Sequence, residues 1–193
     1  DVFTPGWTDY HKRIQYQVYD VTSLLQNGEN VVGAILGDGW AVGHIAWVGR
    51  QQYADQPRLL VQLVITYEDG SKEIVATDNT WLVKIGPILE SDLLMGESYD
   101  ARLEQPGWSA PGFDDSYWEE VALREAPYGK LVAHTAFPDR VNEELEPLSI
   151  EKLGEGHYKV DFGVEISGWV RLNGVEGPEG HTVTLIPNAN QYS

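Results

Sequence analysis

The chain has 193 residues, enough for one full domain and part of a second, and its 42 % apolar content argues against disorder. With 30 acidic and 13 basic residues it carries a net charge of −17, a field that repels phosphate backbones and anionic lipid and so excludes nucleic acid and membrane surfaces as partners. There is no Cys, hence no disulfide and no thiolate metal site, and no apolar run approaches transmembrane length.

In chain order the sequence reads almost entirely as β. Ile14, Tyr16 and Val18 alternate with Gln15, Gln17 and Tyr19, the period-2 pattern of a half-buried strand. Asp20 to Leu25 predicts one short helical turn, capped by Asp20 or Thr22 and ended by Asn27-Gly28. Residues 30–36 (NVVGAIL) predict a second strand, and 58–67 (RLLVQLVITY) a long one rich in β-branched residues. Asp69-Gly70 then turns the chain into SKEIVAT, a hairpin signal. Further strands are expected over 81–85, 93–103, 118–123, 131–135, 150–153, 157–162, 168–172 and 182–186. No stretch of twelve or more residues holds a helical period, so the expected class is all-β, a sandwich or barrel. A Pro at 138 and the acidic run NEELEP interrupt the strand pattern, which places the boundary between two domains at 1–138 and 139–193.

Several stretches carry a specific resemblance. TPGWTDYHKRIQYQVYDVTSLLQNGENVVGAILGDGW, TDNTW, GPILESD, GESYDARLE, GWSAPGFDDSYW and DFGVEISGWVRL stand in one order along nearly the whole chain. Together they resemble the N-terminal region of bacterial α-L-rhamnosidases, glycoside hydrolase family 78. The resemblance implies a jelly-roll-like β-sandwich followed by the start of a second sandwich. It also implies a parent enzyme that removes terminal α-L-rhamnosyl residues with inversion, using two acidic residues of an (α/α)6 barrel. No catalytic residue is therefore expected in this chain, and the implied partners are the rest of the parent enzyme and a rhamnose-containing carbohydrate. Two positions depart from the family pattern: Val164 and Glu165 stand where Gln-Asn is usual, and Ile186-Pro187-Asn188-Ala189-Asn190 replaces an Arg-His-Ala-Glu-like strand end. The family's leading hairpin has no counterpart before Asp1, and the chain stops inside the second sandwich, so a fragment is expected and the compartment stays open.

Candidate chemistry is sparse. Glu97, Asp100 and Arg102 are expected to form a buried structural ion-pair network, because residues 97 and 100 differ in parity on a strand while Arg102 shares the face of Asp100. Asp78 and Asn79 are ordinary turn formers, and they are also hard oxygen donors suited to Ca²⁺. Some rhamnosidase sandwiches are similar to family 67 carbohydrate-binding modules, in which an Asp-Asn pair and Ca²⁺ hold rhamnose, and Asp78-Asn79 stand at the matching place. The alternatives are thus a plain turn or a calcium-assisted sugar site. Trp40 and Trp47 sit among glycines, where a loop can present a ring to the apolar face of a deoxy sugar. Trp7, Trp81, Trp118 and Trp169 are assigned to packing. The five His show no metal-type spacing, and no nucleophile elbow or phosphate-cradling glycine loop is present. The rival functions are an independent lectin-like module and a purely architectural spacer.

Overall fold

The hairpin built on Asp69-Gly70 shows how local chemistry sets the strands. In the computed structural model, which describes residues 2–125 and 129–187, β2 (Gln62–Thr66) pairs antiparallel with β3 (Lys72–Ala76). Asp69 Oδ1 accepts from the Ser71 N–H (2.8 Å) and hydroxyl (2.6 Å), and Gly70 takes a positive φ of 82° that favours glycine.

The remaining pairings are short. β1 (Arg13–Tyr16) runs parallel to β8 (Lys130–Ala133); β4 (Leu82–Val83) lies antiparallel to β7 (Glu119–Glu120); β5 (Ile88–Asp92) lies antiparallel to β6 (Gly96–Tyr99). β9 (Ser149–Gly154) and β10 (His157–Asp161) form a bulged hairpin. The chain is all-β, with small, open two-stranded sheets and, among the described residues, one four-residue helix, α1 (Gly39–Val42). It divides into two compact units, Asp1–Arg140 and Val141–Ser193. In the second unit the β9–β10 hairpin is extended by Leu148 N–H donating to Asp161 O at 2.7 Å, and Arg171 pairs with Glu144 at 3.3 Å.

Several expectations are corrected. Residues 93–103 do not form one strand. Asp92 Oδ1 accepts from the N–H groups of Leu94 (2.8 Å) and Met95 (3.0 Å), which bends the chain into the β5–β6 hairpin. Beyond Tyr99 a 3-10 turn, Ala101–Leu103, begins at Asp100, whose Oδ1 accepts from the Arg102 N–H at 3.1 Å. Residues 30–36 join no ladder among the described residues. Asn30 folds back on the preceding turn, donating to Gln26 O (2.8 Å) and Gly28 O (3.0 Å). Residues 168–172 and 182–186 likewise have no ladder partner among the described residues. The expected turn at 20–25 is present as a 3-10 turn, Thr22–Leu24, with Asp20 Oδ1 accepting from the Thr22 N–H at 3.0 Å. α1 falls in the GDGW run, read from sequence as loop.

Little apolar surface is enclosed. Among the described residues the buried apolar side chains are Tyr10, Val42 and Ile45, and Asp92 is the buried charged one. The accessible surface is 16339 Å². A closed monomer of 21.6 kDa is expected to expose about 9,000 Å². The strand faces are therefore largely uncovered. No helix of the described residues is long and apolar enough to cross a membrane.

Candidate functional site

The best-enclosed part of the first unit is a strap, residues 38–51, fastened onto β5. Its N-terminal anchor is Asp38, whose Oδ2 accepts from the Ser91 N–H (3.1 Å) and from Arg50 Nη2 (3.2 Å). Arg50 also reaches Glu90 Oε1 at 3.2 Å, so one guanidinium ties both ends of the strap to the strand. The central anchor is Asp92. Its Oδ2 accepts from the His44 N–H and from His44 Nδ1, both at 2.8 Å. Gly43 permits this approach, because a Cβ there would meet the Gly39 carbonyl and lie 2.9 Å from Asp92 Oδ2. Burial by itself pushes the Asp92 carboxyl up, but the His44 side chain and the N–H groups of Leu94, His44 and Met95 outweigh it and hold the group well below the usual carboxylate range.

Val42 and Ile45 pack under the strap, closed by Gln51 N–H donating to Val42 O (2.9 Å) and Ile45 N–H to Gly49 O (3.1 Å). Ala46 and Gln51 hold left-handed φ values of 44° and 60°, which non-glycine residues rarely adopt. The tip so formed presents Trp47 fully to solvent, at 100 % exposure. Trp40, by contrast, stacks on Trp7 with ring centroids 5.5 Å apart, and Trp7 Nε1 donates to Tyr53 OH at 3.2 Å. Beside them Tyr10 packs on Tyr53 at 4.8 Å, and its phenol is pushed up to about 12 by burial and then by Tyr53.

The other expected residues lie elsewhere. Asp78 Oδ1 accepts from the Thr80 hydroxyl (2.6 Å) and N–H (2.8 Å), a local turn that holds the carboxyl below its usual range. Among the described residues no hydrogen bond, ion pair or ring contact joins Asp78 or Asn79 to Trp40 or Trp47. Nor is there a group of three or more His, Asp or Glu able to hold a metal ion.

The expected buried network is corrected. Arg102 Nη2 pairs with Asp100 Oδ2 at 2.6 Å and Nε with Oδ1 at 2.9 Å, but Arg102 is 61 % exposed. The Arg102 side chain, then its N–H, lower Asp100 to about 2. Glu97 is outside the pair. The third acid of the stretch, Glu104, accepts from the Tyr99 hydroxyl at 2.6 Å, which pushes that phenol up to about 12. Trp108, Trp118 and Phe113 pack together beside this stretch, with Trp118 Nε1 donating to Gln105 at 2.9 Å. Trp81 Nε1 donates to Ala76 O at 3.2 Å, while Trp7 and Trp169, both assigned to packing, remain 53 % exposed.

His44 and Asp92 were missed from sequence. They stand 48 positions apart, and neither lies in a spaced motif. The available signal was Asp92 at the end of GPILESD, a stretch with no other reason to finish on a carboxylate.

Fold and site define an all-β module whose carboxylates fasten turns and loops in place. Residues 1–143 match the family model described as the alpha-L-rhamnosidase N-terminal domain, and the chain belongs to that family. It is 42 % identical over 187 residues to an alpha-L-rhamnosidase of Streptomyces avermitilis, covering 96 % of this chain and 18 % of that protein. It is 38 % identical over 187 residues to one from Alteromonas sp., covering 96 % and 20 %. The chain thus spans about a fifth of the length of these relatives. Among solved structures, the Streptomyces avermitilis alpha-L-rhamnosidase complexed with L-rhamnose superposes with a TM-score of 0.74 at 37 % identity, over 83 % of this chain and 16 % of that one. The native Aspergillus terreus enzyme superposes with a TM-score of 0.71 at 34 % identity, over 83 % and 19 %.

Proposed function

We propose that this chain is a non-catalytic, accessory β-domain region of an α-L-rhamnosidase that removes terminal α-L-rhamnosyl residues from glycosides or polysaccharides. The jelly-roll-like sandwich and the start of a second one belong to the same proposal. The observation that carries it is the state of the carboxylates. Asp78, Asp92 and Asp100 each fasten a local turn, Asp38 fastens the strap, and Glu104 takes the Tyr99 hydroxyl. An inverting glycosidase instead needs two carboxyls roughly 6.5–9.5 Å apart across a sugar and open to it. The large uncovered surface supports a module that works packed against other parts of a larger enzyme. Trp47 is the side chain we assign to sugar contact, because a strained tip holds its ring fully in solvent.

The test is turnover of p-nitrophenyl α-L-rhamnoside by the purified chain. No release of p-nitrophenol above buffer is expected. Release that disappears when a carboxylate of this chain is changed to its amide would overturn the proposal.

A further inference from the structure

We propose that the chain modifies itself at its two Asn-Gly bonds, Asn27-Gly28 and Asn173-Gly174, each Asn closing onto the next backbone nitrogen and reopening as a mixture of Asp and isoaspartate. In the first step the glycine nitrogen gives up its proton to solvent hydroxide and bonds to the side-chain amide carbon. The bond from that carbon to the amide nitrogen breaks, and ammonia leaves. Water then adds to one carbonyl of the five-membered imide and opens it. Opening at the side-chain carbonyl yields Asp; opening at the main-chain carbonyl yields isoaspartate, with the main chain rerouted through the side chain. Nothing is oxidised or reduced, and water is the co-reactant. Ring closure needs a following residue with no Cβ in the way, an unheld side chain and an unheld backbone nitrogen.

Both sites meet all three conditions. Asn27, Gly28, Asn173 and Gly174 are exposed, and a Cβ built on either glycine would meet nothing within 4 Å. Among the described residues no hydrogen bond engages the Asn27 amide or the Gly28 N–H; those of this turn run through Gln26, the Gly28 and Glu29 carbonyls and Asn30. Nor, among the described residues, does one engage the Asn173 amide or the Gly174 N–H. Other positions lack a condition. Asn30 precedes the β-branched Val31, and its amide is held by Gln26 N–H (3.0 Å), Gln26 O (2.8 Å) and Gly28 O (3.0 Å). Asn79 and Asn142 precede Thr80 and Glu143. The Asp-Gly bonds are fastened: Asp69 holds Ser71 while Gly70 N–H donates to Tyr67 O at 2.9 Å, and Asp38 holds Ser91 and Arg50. At Asn27 the change has a local consequence. Asn30 Nδ2 reaches carbonyls on both sides of Asn27, and isoaspartate adds an atom to the main chain between them, which strains that bracket. Each conversion also adds a negative charge to a chain already at −17. This inference does not depend on the accessory reading.

The test is incubation of the intact protein at mildly alkaline pH, with and without urea, followed by peptide mapping. Mass reads the exchange of the amide for a carboxyl, and fragmentation of the same peptides separates isoaspartate from Asp. Asn27 and Asn173 are expected to convert at least about tenfold faster than Asn30, Asn79 or Asn142, and to reach at least about a tenth of their rates in the urea-unfolded chain. Both products are expected at each site. A smaller lead over the other asparagines, or a larger gap to the unfolded rate, at either site overturns the inference. Gly28→Ala is expected to slow Asn27 at least about tenfold and to leave Asn173 unchanged. The same comparison in urea, where the positive φ of Gly28 no longer matters, keeps that variant decisive if it does not fold. Conversion of Asn27 unaltered by Gly28→Ala in urea would also overturn the inference, because the glycine nitrogen would not be the nucleophile.

Discussion

Asp92 grips His44 at two points with one oxygen, taking its backbone N–H and its Nδ1 at 2.8 Å each. The other oxygen holds the turn that starts β6. One carboxylate therefore joins two segments far apart in sequence. Asp92→Ala should lower stability by about 2–3 kcal/mol, since several charge-assisted bonds lose their acceptor together. Urea unfolding measures this, and a midpoint equal to that of the parent chain would show that the clamp is unimportant.

The same group sets an acid response. Its folded pKa is depressed, so its contribution is complete above the unfolded carboxylate value of about 4 and is lost as pH falls through the lower folded value. Melting temperature should thus hold from neutral pH to about 4 and decline below it, more steeply than in Asp92→Asn. Parallel profiles for the two proteins would assign the acid sensitivity elsewhere.

Gly43→Ala should destabilise as much as loss of Asp92 itself. The added methyl meets the Gly39 carbonyl and presses on Asp92 Oδ2, and the backbone carbonyl has little freedom to give way. Gly86→Ala, where a Cβ meets nothing within 4 Å, is the matched control and should melt like the parent. Equal melting of both variants would refute the close packing of strap on strand.

Arg102→Ala should shift the melting temperature only slightly, because the Asp100 pair is open to solvent and screened by salt. Asp100 retains the Arg102 N–H as a cap donor in that variant. The effect should shrink further at 1 M salt. A large, salt-independent loss would restore a buried network.

Trp47→Ala should leave stability within about 0.5 kcal/mol, as its ring touches solvent on every side. If Trp47 stacks on a sugar, L-rhamnose added to the parent chain should quench its emission, and the variant should lose that quench. Identical quenching in both would place any sugar contact on another aromatic.

What the sequence revealed was whatever local chemistry fixes. Asp69-Gly70 announced its hairpin because a carboxylate and a positive φ act within five residues. Asp20 announced the 3-10 turn for the same reason. The stretch 93–103 misled because its strand-like residues conceal Asp92, whose grip on two N–H groups breaks the strand. Residues 30–36 misled because β propensity favours a strand only where a partner offers a ladder. The expected network failed by exposure rather than by pairing: Asp100 and Arg102 meet, but in solvent. The His44–Asp92 clamp was illegible because a contact across 48 positions leaves no periodic trace.

The parallel pairing of Arg13 with Lys130 has a consequence in time. A ribosome adds about 5–20 residues per second, so β1 waits roughly 6–23 s after its own synthesis before its partner strand exists. Throughout that interval Ile14 and its neighbours present an unpaired edge to every other nascent chain.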